Sequence, residues 1–264
     1  MRMIARAVLA VIERELLKLR RQRGRLLAAM VRPLLWLLVI GSGLAAVQNA
    51  RGGADYQSFL VPGVLGMTLL FGGMLAALST VYDKESGVMR MLIIAPFEHY
   101  WIVLAKTAGA MIVALVQALM LLALLALLGF LDRSVSWPML AVGLVGTALA
   151  CASLGMLIAA WSGTLDNYAT LMNLVIFPVF FLSGSLYPVQ RLPPALKFVA
   201  TLNPYTHGVD LLRHAAVVGA DGAAFSAGLD IAVVVGFSVA ALAVAAVRFS
   251  LDGVNEPLVR RLAR

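Results

Sequence analysis

The chain has 264 residues, of which 62% are hydrophobic and 13% charged, with a formal net charge of +8. A soluble domain is roughly half apolar, so the composition excludes an ordinary soluble fold and indicates a polytopic membrane protein solvated mostly by lipid. A positive-inside bias accounts for the basicity more simply than nucleic-acid binding does, and no nucleic-acid partner is expected.

Residues 1–25 form a separate element. At 3.6 residues per turn, Ile4, Val8, Leu9, Val11, Ile12, Leu16 and Leu19 share one face, and Arg2, Arg6, Glu13, Arg14, Arg20 and Arg21 fall opposite. This pattern predicts an amphipathic helix lying along the inner leaflet. Glu15 breaks the apolar face, either meeting a partner's cation or snorkelling to water. The charged stretch before the first apolar span runs for about 30 residues, longer than a signal-peptide n-region, and the span is read as retained.

Six apolar spans of about 20 residues are predicted, at 30–48, 59–82, 101–130, 138–161, 169–187 and 228–248. With the N-terminus inside, Arg2, Arg6, Arg14, Lys18, Arg20, Arg21, Arg23, Arg25, Arg32, Lys84, Arg90, Lys106, Arg248, Arg260, Arg261 and Arg264 are cytoplasmic. Only Arg51, Arg133, Arg191, Lys197 and Arg213 lie outside. Both termini are therefore expected in the cytoplasm. No stretch reads as a soluble domain, so 1–264 is read as one transmembrane domain.

The loop at 83–100 opens with Asp83, Lys84 and Glu85. It continues through Gly87, Arg90 and Leu92 as a short amphipathic run that Pro96 ends. The chain re-enters the membrane at Trp101, with Lys106 placed to snorkel back to the headgroups. Such a helix is either a docking surface for a partner or a plain interfacial loop. In the fourth span Gly143, Thr147, Cys151, Gly155 and Ala159 recur every four residues, a stripe that lets another helix approach closely. Cys151 is read as a small packing residue; as the lone cysteine it excludes an intramolecular disulfide and a cysteine-rich metal site. Gly163, Asp166 and Asn167 read as a tight turn. Asn173 reads as a buried polar residue of the fifth span, serving function or a helix–helix hydrogen bond. Met172, Phe177, Phe180 and Phe181 either face a substrate path or pack against neighbours and lipid.

After the fifth span the chain breaks without turning hydrophilic. Gly184, Pro188, Pro193, Pro194 and Pro204 punctuate it, while Leu192, Leu196, Phe198, Val199 and Leu202 keep it half apolar. Irregular backbone at membrane depth survives only inside protein or beside a water-filled cavity. The broken segment is therefore read as a gating or transport element. His207 and His214, seven apart beside Asp210, could share a helix face and hold a metal. Polar anchoring of a helix at the interface is the more ordinary reading, and no metal is expected.

No phosphate-binding glycine loop precedes any lysine, and neither H-E-x-x-H nor G-x-S-x-G occurs. The chain is expected to be no enzyme and to hold no cofactor of its own. The run Glu85-x-Gly87-x-Met89-x-x-Leu92-x-x-x-Pro96 resembles the cytoplasmic loop of ABC-2 type permeases. Gly184-x-x-Tyr187-Pro188-x-x-x-Leu192-Pro193, with Asn203-Pro204, Leu212-Arg213 and Phe59-Leu60-Val61-Pro62-Gly63, extends the likeness over essentially the whole chain.

The resemblance implies an all-α half-transporter of six transmembrane helices in the bacterial inner membrane. It would pair with a second copy or a close relative, and with two copies of a separate ATPase subunit that binds ATP and Mg. Residues 83–100 would be the coupling helix, engaging the ATPase through Asp83, Glu85, Gly87, Arg90, Leu92 and Pro96. Residues 1–25 would be the connecting helix, and Asp166 and Asn167 a second ATPase contact. Asn173, Phe177, Phe180 and Phe181 would line the path. The segment 184–214 would be re-entrant near the outer face, where Tyr187, Pro188, Pro193, Asn203 and Pro204 would form the outer gate. Export of a drug, lipid, glycolipid or lipid-linked polysaccharide is the activity implied. A passive channel or a membrane scaffold is the alternative; a channel predicts charge inside the spans, which are almost uncharged away from their ends.

Overall fold

The computed structural model describes residues 23–41, 56–89, 99–131, 135–215 and 223–255, together with Glu13, Arg14, Leu17 and Gly43. Every regular element among these residues is helical. α1 runs over Arg23–Leu35 and continues as a π-helical turn at Trp36–Gly41. Pro33 lies inside α1 and removes one rung of its hydrogen-bond ladder, and the wider turn follows at once. Then come α2 (Tyr56–Glu85), α3 (His99–Leu127), α4 (Trp137–Trp161) and α5 (Leu165–Phe181). A 3-10 turn (Val189–Arg191) leads into α6 (Pro194–Leu202), α7 (Pro204–Ala215) and α8 (Ala227–Asn255).

Among the described residues, four helices are long and apolar enough to cross a membrane, over Phe59–Glu85, Tyr100–Leu127, Trp137–Trp161 and Ala227–Leu251. The first and fifth predicted spans are occupied by shorter apolar helical stretches, Met30–Val39 and Leu165–Phe181. The 17 residues of α5 rise only about 26 Å, short of the ~30 Å hydrocarbon core.

The fifth span was expected to run on to residue 187. Instead α5 ends at Phe181: Leu182 caps it by donating to the Pro178 carbonyl, and Gly184 turns the chain with a φ of 76°. Apolar residues after Phe181 disguise this stop, because Leu182 and Leu186 continue the hydropathy without continuing the helix.

α2 is the centre of the molecule. It packs along α3 and α4, and α4 in turn packs on α7 and α8. The small-residue stripe of α4 serves two neighbours. At one end a Cβ on Gly143 would stand 3.1 Å from the backbone of Leu211 and Leu212, and Thr147 Oγ1 donates to the Gly208 carbonyl at 2.9 Å. At the other end Gly155 faces the Cα of Met74 at 3.1 Å. Cys151, fully buried, lies against Gly73. Close helix approach of this kind is what holds helices together where lipid removes the hydrophobic drive. One face of α8 carries Ile231, Val235, Val239 and Val247 outward, as a lipid-facing helix would.

Candidate functional site

Three consecutive residues close α2, and each is tied to a different element. Asp83 is buried and accepts from Lys106 Nζ of α3. Arg14 Nη2 donates to both Asp83 carboxylate oxygens at 2.6 Å. Lys106 therefore does not snorkel; at 2% exposure it needs a counter-charge, and Asp83 supplies one. Lys84 Nζ donates to the carbonyls of Ala159 and Ala160 at 3.0 and 3.1 Å, at the C-terminal end of α4, and lies 4.2 Å from the centre of the Phe249 ring on α8. Glu85 Oε2 accepts from the backbone N–H of Leu165, the first residue of α5, at 3.0 Å. The two charges sit where helix dipoles favour them: a cation at the C-terminus of α4 and an anion at the N-terminus of α5.

Gly87 follows with a φ of 77°, a conformation that suits glycine. Met89 is then buried in the core that includes Ile102 and Val103. Arg90, Leu92 and Pro96 lie outside the described residues, as does most of the 1–25 helix. Asp166 and Asn167 are exposed in the first turn of α5. Thr164 caps that turn, its hydroxyl accepting from the Asn167 N–H at 3.3 Å. Glu85 thus brings the 83–89 segment and the 162–167 turn together.

At the opposite end of α2, the Phe59–Gly63 motif meets the broken segment. A Cβ on Gly63 would stand 2.1 Å from the Ser185 carbonyl oxygen, so the 182–187 turn lies directly on the helix backbone. Tyr56 donates to the Leu186 carbonyl at 2.7 Å. Arg213 of α7 is buried, donates to the Gly184 carbonyl and stacks 3.8 Å over the Phe59 ring. Tyr187 donates to the Phe181 carbonyl. Pro188 precedes the 3-10 turn and Pro193 precedes α6. Asn203 donates to the Val179 carbonyl at 2.8 Å and accepts from the Tyr205 N–H at 3.1 Å, capping α7 just before Pro204. The prolines do begin new short helices, and the turn between them is stitched to α2 and α7 by side chains.

The predicted path residues divide. Asn173 is exposed on α5, contrary to its reading as a buried residue. α5 packs on α2 and α4 by one face, carrying Tyr168, Met172, Ile176 and Phe180, and Asn173 falls on the other. Phe177, at 55% exposure, and Phe181 share that outer side. Phe180 is only 4% exposed and packs edge-on against Trp36 at 5.8 Å between ring centroids.

One cluster was only half visible in the sequence. His207 and Asp210 of α7 are buried, and Asp230 from the first turn of α8 joins them. His207 Nδ1 lies 2.7 Å from Asp230 Oδ1, and its Nε2 lies 3.0 Å from the Thr201 carbonyl. Both nitrogens face oxygen acceptors, which favours the doubly protonated ring. Burial lowers the His207 pKa, but the hydrogen bonds to Asp230 and Thr201 outweigh it and the net direction is up. Asp230 could have been found as an acid one turn into an apolar helix, where a charge needs a stated partner.

A helical chain with several membrane-length helices, tied together at both ends of its central helix, is a multi-pass membrane protein. Residues 6–217 match the model of the ABC-2 type transporter family, and the chain belongs to that family. It is similar to Nodulation protein J of Rhizobium leguminosarum bv. trifolii, 28% identical over 193 residues, covering 71% of this chain and 72% of the relative. It is also similar to the putative transport permease ycf38 of Porphyra purpurea, 27% identical over 218 residues, covering 80% and 74%.

Proposed function

We propose that the chain is the permease subunit of an ATP-driven exporter that moves an amphipathic or lipid-like substrate outward. It has six membrane-crossing segments and both termini in the cytoplasm of a bacterial inner-membrane protein. Two such chains assemble with two copies of a separate ATPase, which carries ATP and Mg. The ATPase engages residues 83–100 and the Asp166–Asn167 turn. Residues 1–25 lie beside it as the connecting helix. The outer side of α5, with Asn173, Phe177 and Phe181, lines the path. The segment 184–214 closes it on the far side.

The observation that carries this reading is the anchoring of Asp83, Lys84 and Glu85. A force on residues 83–85 reaches α3, α4, α5 and α8 through an ion pair, helix-terminal hydrogen bonds and a cation–ring contact. Transport needs such a mechanical path from a distant energy source to the spans. The relatives named for transport support the class of activity.

The test is co-purification of the chain with a soluble ABC ATPase from the same organism. The wild-type pair should copurify and hydrolyse ATP faster than the ATPase alone. Glu85→Lys combined with Gly87→Pro should lose both properties while the chain still inserts in the membrane. A variant that keeps the complex and the stimulation intact would falsify the assignment of the loop.

A further inference from the structure

The cluster on α7 and α8 has a feature that hydrogen bonding does not account for. Asp230 is fully buried, and its Oδ2 has no hydrogen-bond partner. A buried carboxylate oxygen without a hydrogen bond costs stability and calls for an occupant. Its surroundings say what kind. One ligand atom each from Asp210, His214 and Asp230 lie within 4.8 Å of one another. His214 Nε2 is 3.5 Å from Asp230 Oδ2 and 3.0 Å from the Phe225 carbonyl oxygen.

We propose that Asp210, His214 and Asp230 bind one divalent transition-metal ion, of which zinc is the best match. One imidazole nitrogen with two carboxylates is a donor set that suits zinc, and ligand bonds of about 2.0–2.2 Å in a tetrahedral site place donor atoms roughly 3.3–3.5 Å apart. The fourth position falls to the Phe225 carbonyl or to water.

The neighbours are arranged to hold these ligands. His207 grips Asp230 by Oδ1 at 2.7 Å and so leaves Oδ2 turned towards His214, an orienting contact of the kind metal sites use. The Ala224 and Phe225 N–H groups donate to Asp210 at 2.8–2.9 Å and fix that carboxylate. Of Asp210's two oxygens, Oδ1 accepts only the Ala224 N–H, which leaves it a lone pair for the ion. The site joins the C-terminal half of α7, the strand of chain at 223–226 and the start of α8. The ion therefore pins α7 to α8, a structural role.

The experiment uses the full chain in detergent, purified without a polyhistidine tag, stripped with a chelator and titrated with zinc alone. Wild-type chain should retain about one zinc per molecule through gel filtration, as elemental analysis reads it. Zinc should also raise its thermal unfolding temperature. His214→Ala keeps the His207–Asp230 pair and removes one ligand, so it should lower zinc affinity by about ten-fold or more and abolish the thermal shift. Asp230→Asn should do the same if it folds. Equal retention by wild type and His214→Ala would overturn the proposal. So would absence of bound zinc in the wild type, or calcium giving the same shift as zinc, since calcium prefers oxygens alone.

Discussion

Glu85 Oε2 lies 3.0 Å from the backbone nitrogen of Leu165, 80 residues further along the chain. The carboxylate caps α5 from outside, and an acid at a helix N-terminus contributes about 0.3–1 kcal/mol. Glu85→Ala should speed hydrogen exchange of the first-turn amides of α5 while leaving α4 and α8 as they were. Exchange that does not change at Leu165 would remove Glu85 as the cap.

Asp83 holds Lys106 and Arg14 together at the same end of α2. Removing one member of a buried pair leaves an uncompensated charge, at a cost of about 3–5 kcal/mol. Asp83→Asn and Lys106→Met should each lower the thermal unfolding temperature sharply. The double variant should be more stable than the sum of the two losses allows. Simple additivity would show that the pair is not coupled.

The spans were legible because lipid demands long apolar runs, and α2, α3, α4 and α8 stand where those runs stand. The stripe on α4 was legible for a similar reason, since a period of four places Gly143, Thr147, Cys151 and Gly155 on one face. The roles of Lys84 and Glu85 were not. Their partners are backbone groups at the ends of α4 and α5, and a carbonyl leaves no mark in a sequence. Asn173 was placed inside because polarity in an apolar run suggests burial. Only the packing of α5 by one face shows that it points away. Asp230 gives no local sign of its role, because its histidine partner is 23 positions distant.

The contact of Gly63 with Ser185 gives a sharp substitution test. Gly63→Ala puts a methyl 2.1 Å from a backbone oxygen, and overpacking of this kind costs about 1–3 kcal/mol. Gly236→Ala meets nothing within 4 Å and should be neutral or slightly stabilising, because alanine is the better helix former. Thermal unfolding of the two variants side by side decides it. If both behave alike, the turn does not sit on α2.

Phe177 and Phe180 are three residues apart and should part company. Phe180→Ala removes a buried ring and should cost about 3–5 kcal/mol of stability. Phe177→Ala should leave unfolding nearly unchanged and instead lower export by the assembled transporter. A Phe177 variant with full transport rates would take that residue off the path.

Membrane sidedness is open to a labelling experiment. Cys151 is the lone native cysteine and is buried, so background labelling will be low, and Cys151→Ala removes it. In that background Arg191→Cys should react with an impermeant maleimide on intact cells, and Glu85→Cys only after permeabilisation. The reverse result would invert the topology.

Successive residues of an α-helix point about 100° apart, so Asp83, Lys84 and Glu85 fan out over more than half a turn and reach Lys106, the end of α4 and the start of α5. A rod gripped from three sides at one tip cannot spin there. Whatever moves α2 at that tip must carry these three neighbours as a block, so any twisting has to be absorbed further up. The opposite tip is where the backbone of the 182–187 turn rests on Gly63, with no side chain between them to act as a cushion.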